Sequence, residues 1–140
     1  MRAFADVTVG EVIPDVTFPV QRVNLIQYAG ASGDANIIHW NERVAKAVGL
    51  PNVIAHGMLT MAEAGRVVTD WVGDPGAVLE YGVRFSKPVV VPDDDEGASL
   101  VVGGRVESVD PEARTATVVL TAKVGTDVVL QGARAVVRLA

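Results

Sequence analysis

From Val78 onward the chain alternates apolar and polar residues with the period of half-buried strands. In VLEYGVRF, Leu79, Tyr81, Val83 and Phe85 share one face, against Glu80 and Arg84 on the other. In TATVVLTAKV, Ala116, Val118, Leu120, Ala122 and Val124 alternate with Thr115, Thr117, Thr121 and Lys123. SLVVGGRVES and VVLQGARAVVRL follow the same rule, the latter setting Arg134 and Arg138 against Ala135, Val137 and Leu139. DPEAR at 110–114 and GTD at 125–127 read as hairpin turns, so the last three strands predict an antiparallel meander. DVTFPVQR is a weaker strand near the N-terminus, and Pro19 inside it suits an edge or a bulge.

Helical spacing fills the region between. NLIQYAGAS opens on Asn24 as an N-cap, and NERVAKAVGL is capped by Asn41 and stopped at Gly49 and Pro51. A third helix over 57–72 sets Met58, Met61, Ala62, Gly65, Val68 and Val72 at helical spacing, with Glu63, Arg66 and Asp70 as its polar stripe. A long, largely apolar helix followed by an antiparallel run predicts a single α+β domain over residues 1–140, its sheet wrapped around the helix. One such helix cannot cover the whole sheet. A second copy or a related chain is the expected cover.

Composition narrows the function classes. A chain of 140 residues can bury a real core as one domain. A net charge of −5 without a basic stripe argues against nucleic acid. Cysteine is absent, which excludes disulfides and thiolate chemistry. MRAFADVTVGEVIPD has no apolar core of a secretory signal. The longest uncharged stretch, 47–62, is interrupted by Pro51, Asn52, His56 and Gly57 and is too short to span a bilayer. A cytoplasmic protein without membrane insertion is expected. PDDDEG at 92–97 reads as a solvated loop.

Candidate chemistry gathers in SGDANIIH, with Asp34, Asn36 and His39, and in IAHGMLTM, with His56 and Gly57. A turn at Gly33 can bring Asp34 and His39 together, although Asp34 and Asn36 also have the chemistry of simple turn formers around a core histidine. A metal site is poorly supplied with ligands here, since there is no cysteine and there are two histidines. Ser32 lacks the surroundings of a nucleophile elbow. An Asp/His pair, in contrast, suits general acid–base work, the imidazole taking a proton and the carboxyl group handling a hydroxyl or water. If Gly57 starts the long helix, its N–H sits at the positive end of the dipole, with no Cβ to obstruct a substrate carbonyl. Such a donor is commonly worth about a hundred- to a thousandfold in rate. His56 fits a role in positioning the turn.

YAGASGDANIIH and the helix start IAHGMLTM together resemble the MaoC-like, (R)-specific enoyl hydratase and dehydratase family, whose pattern runs Gly-Asp-x-Asn-Pro-apolar-His. WVGDPGAVLEYGVRF is similar, more narrowly, to small actinobacterial dehydratases such as the catalytic beta subunit of the (3R)-hydroxyacyl-ACP dehydratase. The resemblance implies a hot-dog fold and reversible dehydration of (3R)-hydroxyacyl thioesters to trans-2-enoyl thioesters, with no cofactor and no metal. It implies that His39 takes the alpha proton and that Asp34 protonates the departing hydroxyl. Asn36, Gly57 and His56 fall on the substrate-binding side, Asn36 fixing the loop and water and the Gly57 N–H holding the thioester oxygen. It also implies pairing across sheet edges, as a homodimer or with a related hot-dog subunit. The acyl group rides on CoA or on acyl carrier protein, and Arg43, Lys46, Arg84 and Lys87 could form a basic patch for an acidic carrier. Ile37 stands where the family pattern has proline, which implies a less rigid loop and retuned activity. Two alternatives remain at this level: a hot-dog thioesterase using Glu63 on the central helix, and a subunit active only beside its partner.

Overall fold

The computed structural model describes residues 1–140. Its elements run β1 (Val12–Val20), α1 (Arg22–Ser32), α2 (Glu42–Ala47), α3 (Gly57–Val72), β2 (Val78–Phe85), β3 (Ala98–Asp110), β4 (Thr115–Val124) and β5 (Asp127–Arg138). Short 3-10 turns occupy Phe4–Asp6, Ile37–His39 and Pro75–Ala77. The strands form one five-stranded sheet in the order β1-β3-β4-β5-β2. All of its pairings are antiparallel. β3, β4 and β5 make the predicted meander, while β2 crosses over to pair with β5, placing Phe85 opposite Leu130. α3 touches every strand, so the sheet wraps around it.

Alternation sets the sheet's inner face. β4 buries Ala116, Val118, Leu120 and Ala122, and β5 buries Ala133, Ala135 and Val137. Leu100, Val102 and Val106 add the β3 layer. Onto these, α3 packs Thr60, Ala64, Val67, Val68 and Val72. Only Val68 and Val72 of the apolar set expected from helical spacing are buried; Met58 and Ala62 are exposed. Ala62 and Gly65 lie on the flank of α3 that turns toward Tyr81 of the edge strand β2, where the sheet ends.

Two further expectations are corrected by local hydrogen bonding. α1 begins earlier than Asn24, with Gln21 as its N-cap. Asn24 is the third helical residue, and its Oδ1 accepts the Gln21 backbone N–H at 2.8 Å, completing a reciprocal capping box. Along β2, register shifts on both sides of Tyr81 break the strict alternation, and Leu79 and Phe85 are 52% and 51% exposed. Asn41 does cap α2, accepting the Val44 N–H at 3.1 Å.

The sheet's two edges differ. β1 carries Pro14 and Pro19 and an irregularity between Ile13 and Val16, devices that blunt an edge against further pairing. β2 contains no proline and presents apolar side chains. No helix is long and apolar enough to cross a membrane. Arg22 at the start of α1 ties that helix to α2, to the segment before α3 and to the segment leading into β3. It donates to the carbonyl of Val91 at 3.0 Å, to Asn52 Oδ1 at 2.8 Å and to Glu42 Oε2 at 3.2 Å.

Gly97 lets the exposed acidic loop turn into β3. Its φ of +72° is left-handed, and an added Cβ would lie 2.3 Å from the Val20 carbonyl oxygen. Gly97→Ala is expected to destabilise the fold by more than about 1 kcal/mol, seen as a lower urea midpoint with an unchanged slope. A midpoint at the wild-type value would refute this.

Candidate active site

The loop after α1 is shaped by short-range bonds that aim one carboxylate oxygen. Gly33 closes the helix in the left-handed conformation, φ 78°. Ser32 Oγ donates to the Tyr28 carbonyl at 2.8 Å and accepts the Asp34 N–H at 3.1 Å. The Asn36 N–H then binds Asp34 Oδ1 at 3.1 Å. That occupies one carboxylate oxygen and leaves Oδ2 4.0 Å from His39 Nε2. Asn36 Oδ1 accepts the Ile38 N–H at 3.3 Å and so caps the 3-10 turn that carries His39. The Trp40 indole holds the Ala35 carbonyl at 3.2 Å.

His39 is buried, and its Nδ1 lies 2.6 Å from the Ile54 carbonyl oxygen. A carbonyl can only accept, so Nδ1 carries the proton and Nε2 presents a lone pair toward Asp34. Burial pushes the pKa of His39 below the ordinary histidine value, and neighbouring His56 adds to this; the Ile54 carbonyl and Asp34 pull it upward without prevailing. The imidazole is therefore held as a neutral base.

His56 lies beneath the pair instead of on the cavity wall. It is 1% exposed, its ring stacks on His39 at 3.7 Å with planes 25° apart, and Tyr28 packs against it at 4.8 Å. Its Nε2–H donates to the backbone carbonyl of Asp34 at 3.0 Å, while the buried Nδ1 has no partner. His56 thus touches both members of the pair: the ring of one and the peptide of the other. Asp34, His39 and His56 do bring ligand atoms within 4.8 Å of one another. Stacked rings, however, send their in-plane lone pairs side by side, not to a common point, so the trio is a poor cage for a metal ion.

α3 begins at Gly57, and its first ladder bond runs from the Thr60 N–H to the His56 carbonyl at 3.1 Å. The amides of Gly57, Met58 and Leu59 precede any intrahelical acceptor. An added Cβ on Gly57 would lie 3.1 Å from the Phe85 ring, which would have to give by a few tenths of an ångström to admit it. Beside Gly57 opens a cavity of about 310 Å³ whose lining includes His39, Gly57, Thr60, Phe85, Lys87 and Leu130, but not Asp34, Asn36 or His56.

Sequence reasoning did not find the Ile54 carbonyl, Thr60 or Phe85. A backbone acceptor leaves no mark in residue identity, and Phe85 read as one more strand position. Ile37 is the first residue of the 3-10 turn, a position that tolerates proline well. Ser32 is committed to the turn, and Glu63 pairs with Arg66 at 2.7 Å outside the cavity lining. Of the basic candidates, Lys46 pairs with Glu42 and Lys87 with Asp127, each at 2.5 Å. Arg43 and Arg84 are exposed.

Residues 5–124 match the family model described as MaoC like domain. Over 79 residues, 56% of its length, the chain is 40% identical to 3-hydroxyacyl-thioester dehydratase X of Mycobacterium tuberculosis, of which the match covers 27%. Over 114 residues it is 31% identical to the (R)-specific enoyl-CoA hydratase of Rhodospirillum rubrum, covering 81% of this chain and 76% of that protein. A solved structure described as a MaoC-like dehydratase superposes with a TM-score of 0.96 and 46% identity, over 99% of this chain and 42% of that one. The chain belongs to the MaoC-like domain family and has its hot-dog fold. It spans less than half the length of the mycobacterial relative and of the solved chain.

His39 is expected as the Nδ1–H tautomer, while the His56 Nε2–H stays bonded to the Asp34 carbonyl. Imidazole ¹⁵N shifts near neutral pH check this directly. Finding His39 as the Nε2–H form would overturn its assignment as a base facing Asp34.

Proposed function

We propose that this chain is a hydro-lyase that interconverts (3R)-hydroxyacyl and trans-2-enoyl thioesters, with Asp34 and His39 as its acid–base pair. The observation that carries the reading is the Nδ1 bond of His39 to Ile54, which leaves Nε2 as a lone pair 4.0 Å from Asp34 Oδ2. That spacing is too long for a hydrogen bond between them. It suits two groups that act on adjacent atoms of one substrate.

Dehydration requires the pair to enter with one proton, delivered by Asp34. His39 Nε2 takes the alpha proton, the electron pair left behind forms the carbon–carbon double bond, and the hydroxyl leaves with the proton of Asp34 as water. The pair is then imidazolium and carboxylate, and return of the proton from His39 to Asp34 resets it. Hydration is the reverse. Amides at the start of α3, Gly57 first, hold the thioester oxygen as charge builds on it. Asn36 keeps the Asp34 carboxylate aimed, and His56 supports both partners from below. No cofactor enters these steps. The acyl group is carried on CoA or acyl carrier protein, and the chain acts in the cytoplasm as one hot-dog domain. Its exposed β2 edge, with Leu79 and Phe85, is the surface we assign to pairing with a second copy or a related subunit.

Loss of the enoyl absorbance of trans-2-butenoyl-CoA tests the activity. Asp34→Asn is expected to slow it by about 10²–10⁴-fold. Release of free thiol would instead mark a thioesterase and sink the proposal. Light scattering on the same sample shows whether a silent chain is a monomer lacking its partner. A second test is the pH profile of dehydration. Protonated His39 cannot take the alpha proton, so the rate falls as pH drops through the pair's lower apparent pKa. Because burial lowers the pKa of His39, that acid limb belongs below about 6.5. An acid limb above pH 7 contradicts it.

A further inference from the structure

The cavity beside Gly57 has a buried wall and an open rim. Thr60, Val89 and Leu130 in its lining are buried, whereas Ser86, Lys87 and Pro88 are exposed. With His39 held neutral, Lys87 is the one cationic side chain of that lining. Its Nζ lies 2.5 Å from Asp127 Oδ1, and both side chains are 56% exposed. Asp127 is the first residue of β5 and does not line the cavity. The ammonium therefore stands between a carboxylate outside the cavity and whatever passes over the rim. An ion pair this exposed is weak, so an anion at the mouth can displace the carboxylate at little cost. The rim does not depend on the pair. The Ser86 N–H donates to the Val129 carbonyl at 3.1 Å, and Ser86 Oγ donates to the Val128 carbonyl at 2.8 Å. Lys87 can change partners while the backbone beside it stays fixed.

We infer that Lys87 is a substrate-binding residue that reads the phosphate of a pantetheine arm, with Asp127 as the counter-charge that the phosphate displaces. This rests on the thioester reading of Asp34 and His39. The occupant follows from size and charge. A cavity of about 310 Å³ takes the acyl group and the start of the arm, not the whole thioester, so the phosphate stays outside it. The chain carries a net charge of −5, so an anionic substrate is repelled overall and needs a local cation where it enters. The same phosphate occurs in CoA and in the prosthetic arm of a carrier protein, and one lysine serves either.

Thioesters with and without that phosphate test the assignment. For wild type, kcat/KM should be at least about threefold higher with trans-2-butenoyl-phosphopantetheine than with trans-2-butenoyl-pantetheine, the scale of an exposed charge pair, and added salt should shrink the preference. Lys87→Ala should abolish that preference, and Lys87→Arg, which keeps the charge, should preserve it. Asp127→Asn should strengthen it. The opposition is decisive, because a purely structural ion pair is broken alike from either side. Ratios that move in the same direction in Lys87→Ala and Asp127→Asn, or that do not move, overturn the inference. So does a Lys87→Ala effect confined to trans-2-butenoyl-CoA, which would place the contact on the adenosine end. Kd values for the saturated butanoyl thioesters, which cannot react, measure the same contact without chemistry. A Kd ratio that responds as described in a protein without turnover supports Lys87 while sinking the acid–base reading. Failure to bind either thioester sinks both.

Discussion

The hydrogen bond from His39 Nδ1–H to the Ile54 carbonyl is the contact on which the site depends, because it settles which nitrogen faces Asp34. Its acceptor is held by long-range pairing. The Ile54 N–H donates to the Ile38 carbonyl at 3.3 Å, the Ala55 N–H to Val89 at 2.8 Å and the Val91 N–H to Val53 at 3.0 Å. Residues 53–55 therefore form a seam between the loop that carries His39 and the segment leading into β3. The next residues in the chain are His56 and Gly57. One short stretch thus sets the base's tautomer, supplies the imidazole that underlies it and starts the helix whose amides face the cavity. Displacing this seam would misplace all three together.

The pair is asymmetric in its surroundings. His39 has a 9% exposed side chain against 52% for Asp34, so the imidazole sits in a dry setting and the carboxyl group in a wet one. The dryness has a cost. His56 Nδ1 is buried without a partner, and such a group costs on the order of 1–3 kcal/mol. Replacing His56 by an apolar ring would relieve that cost but leave the Asp34 carbonyl without its donor.

The meander, the long helix and the closeness of Asp34 to His39 were legible because each is written in near neighbours: alternation within a strand, helical spacing between caps, and a motif folded by its own turn bonds. Gln21 was missed as a cap because glutamine lacks the usual N-cap signature, and Asn24 drew the assignment by its own chemistry when it serves the reciprocal half of the box. The buried face of α3 was read imperfectly for a different reason. Hydropathy does not distinguish an apolar residue packed on the sheet, such as Val67, from a small one left on the flank facing β2, such as Ala62. Ile54 and Phe85 contribute through a carbonyl and through distant packing, neither of which any local pattern records.

That flank explains why glycine recurs on a helix that would be more stable without it. An interior glycine costs a helix roughly 1 kcal/mol relative to alanine, yet Gly65 stands in the middle of α3, against Tyr81. The helix does not rely on propensity for its stability. Ala64, Val67, Val68 and Val72 anchor its other side in the sheet, and tertiary packing of this kind outweighs intrinsic preference. Burial on one side therefore frees the opposite side to hold small residues and admit the aromatic rings of β2. The same division gives the site its shape: the sheet-facing side fixes where α3 lies, and the β2-facing side is left to define the space beside Gly57.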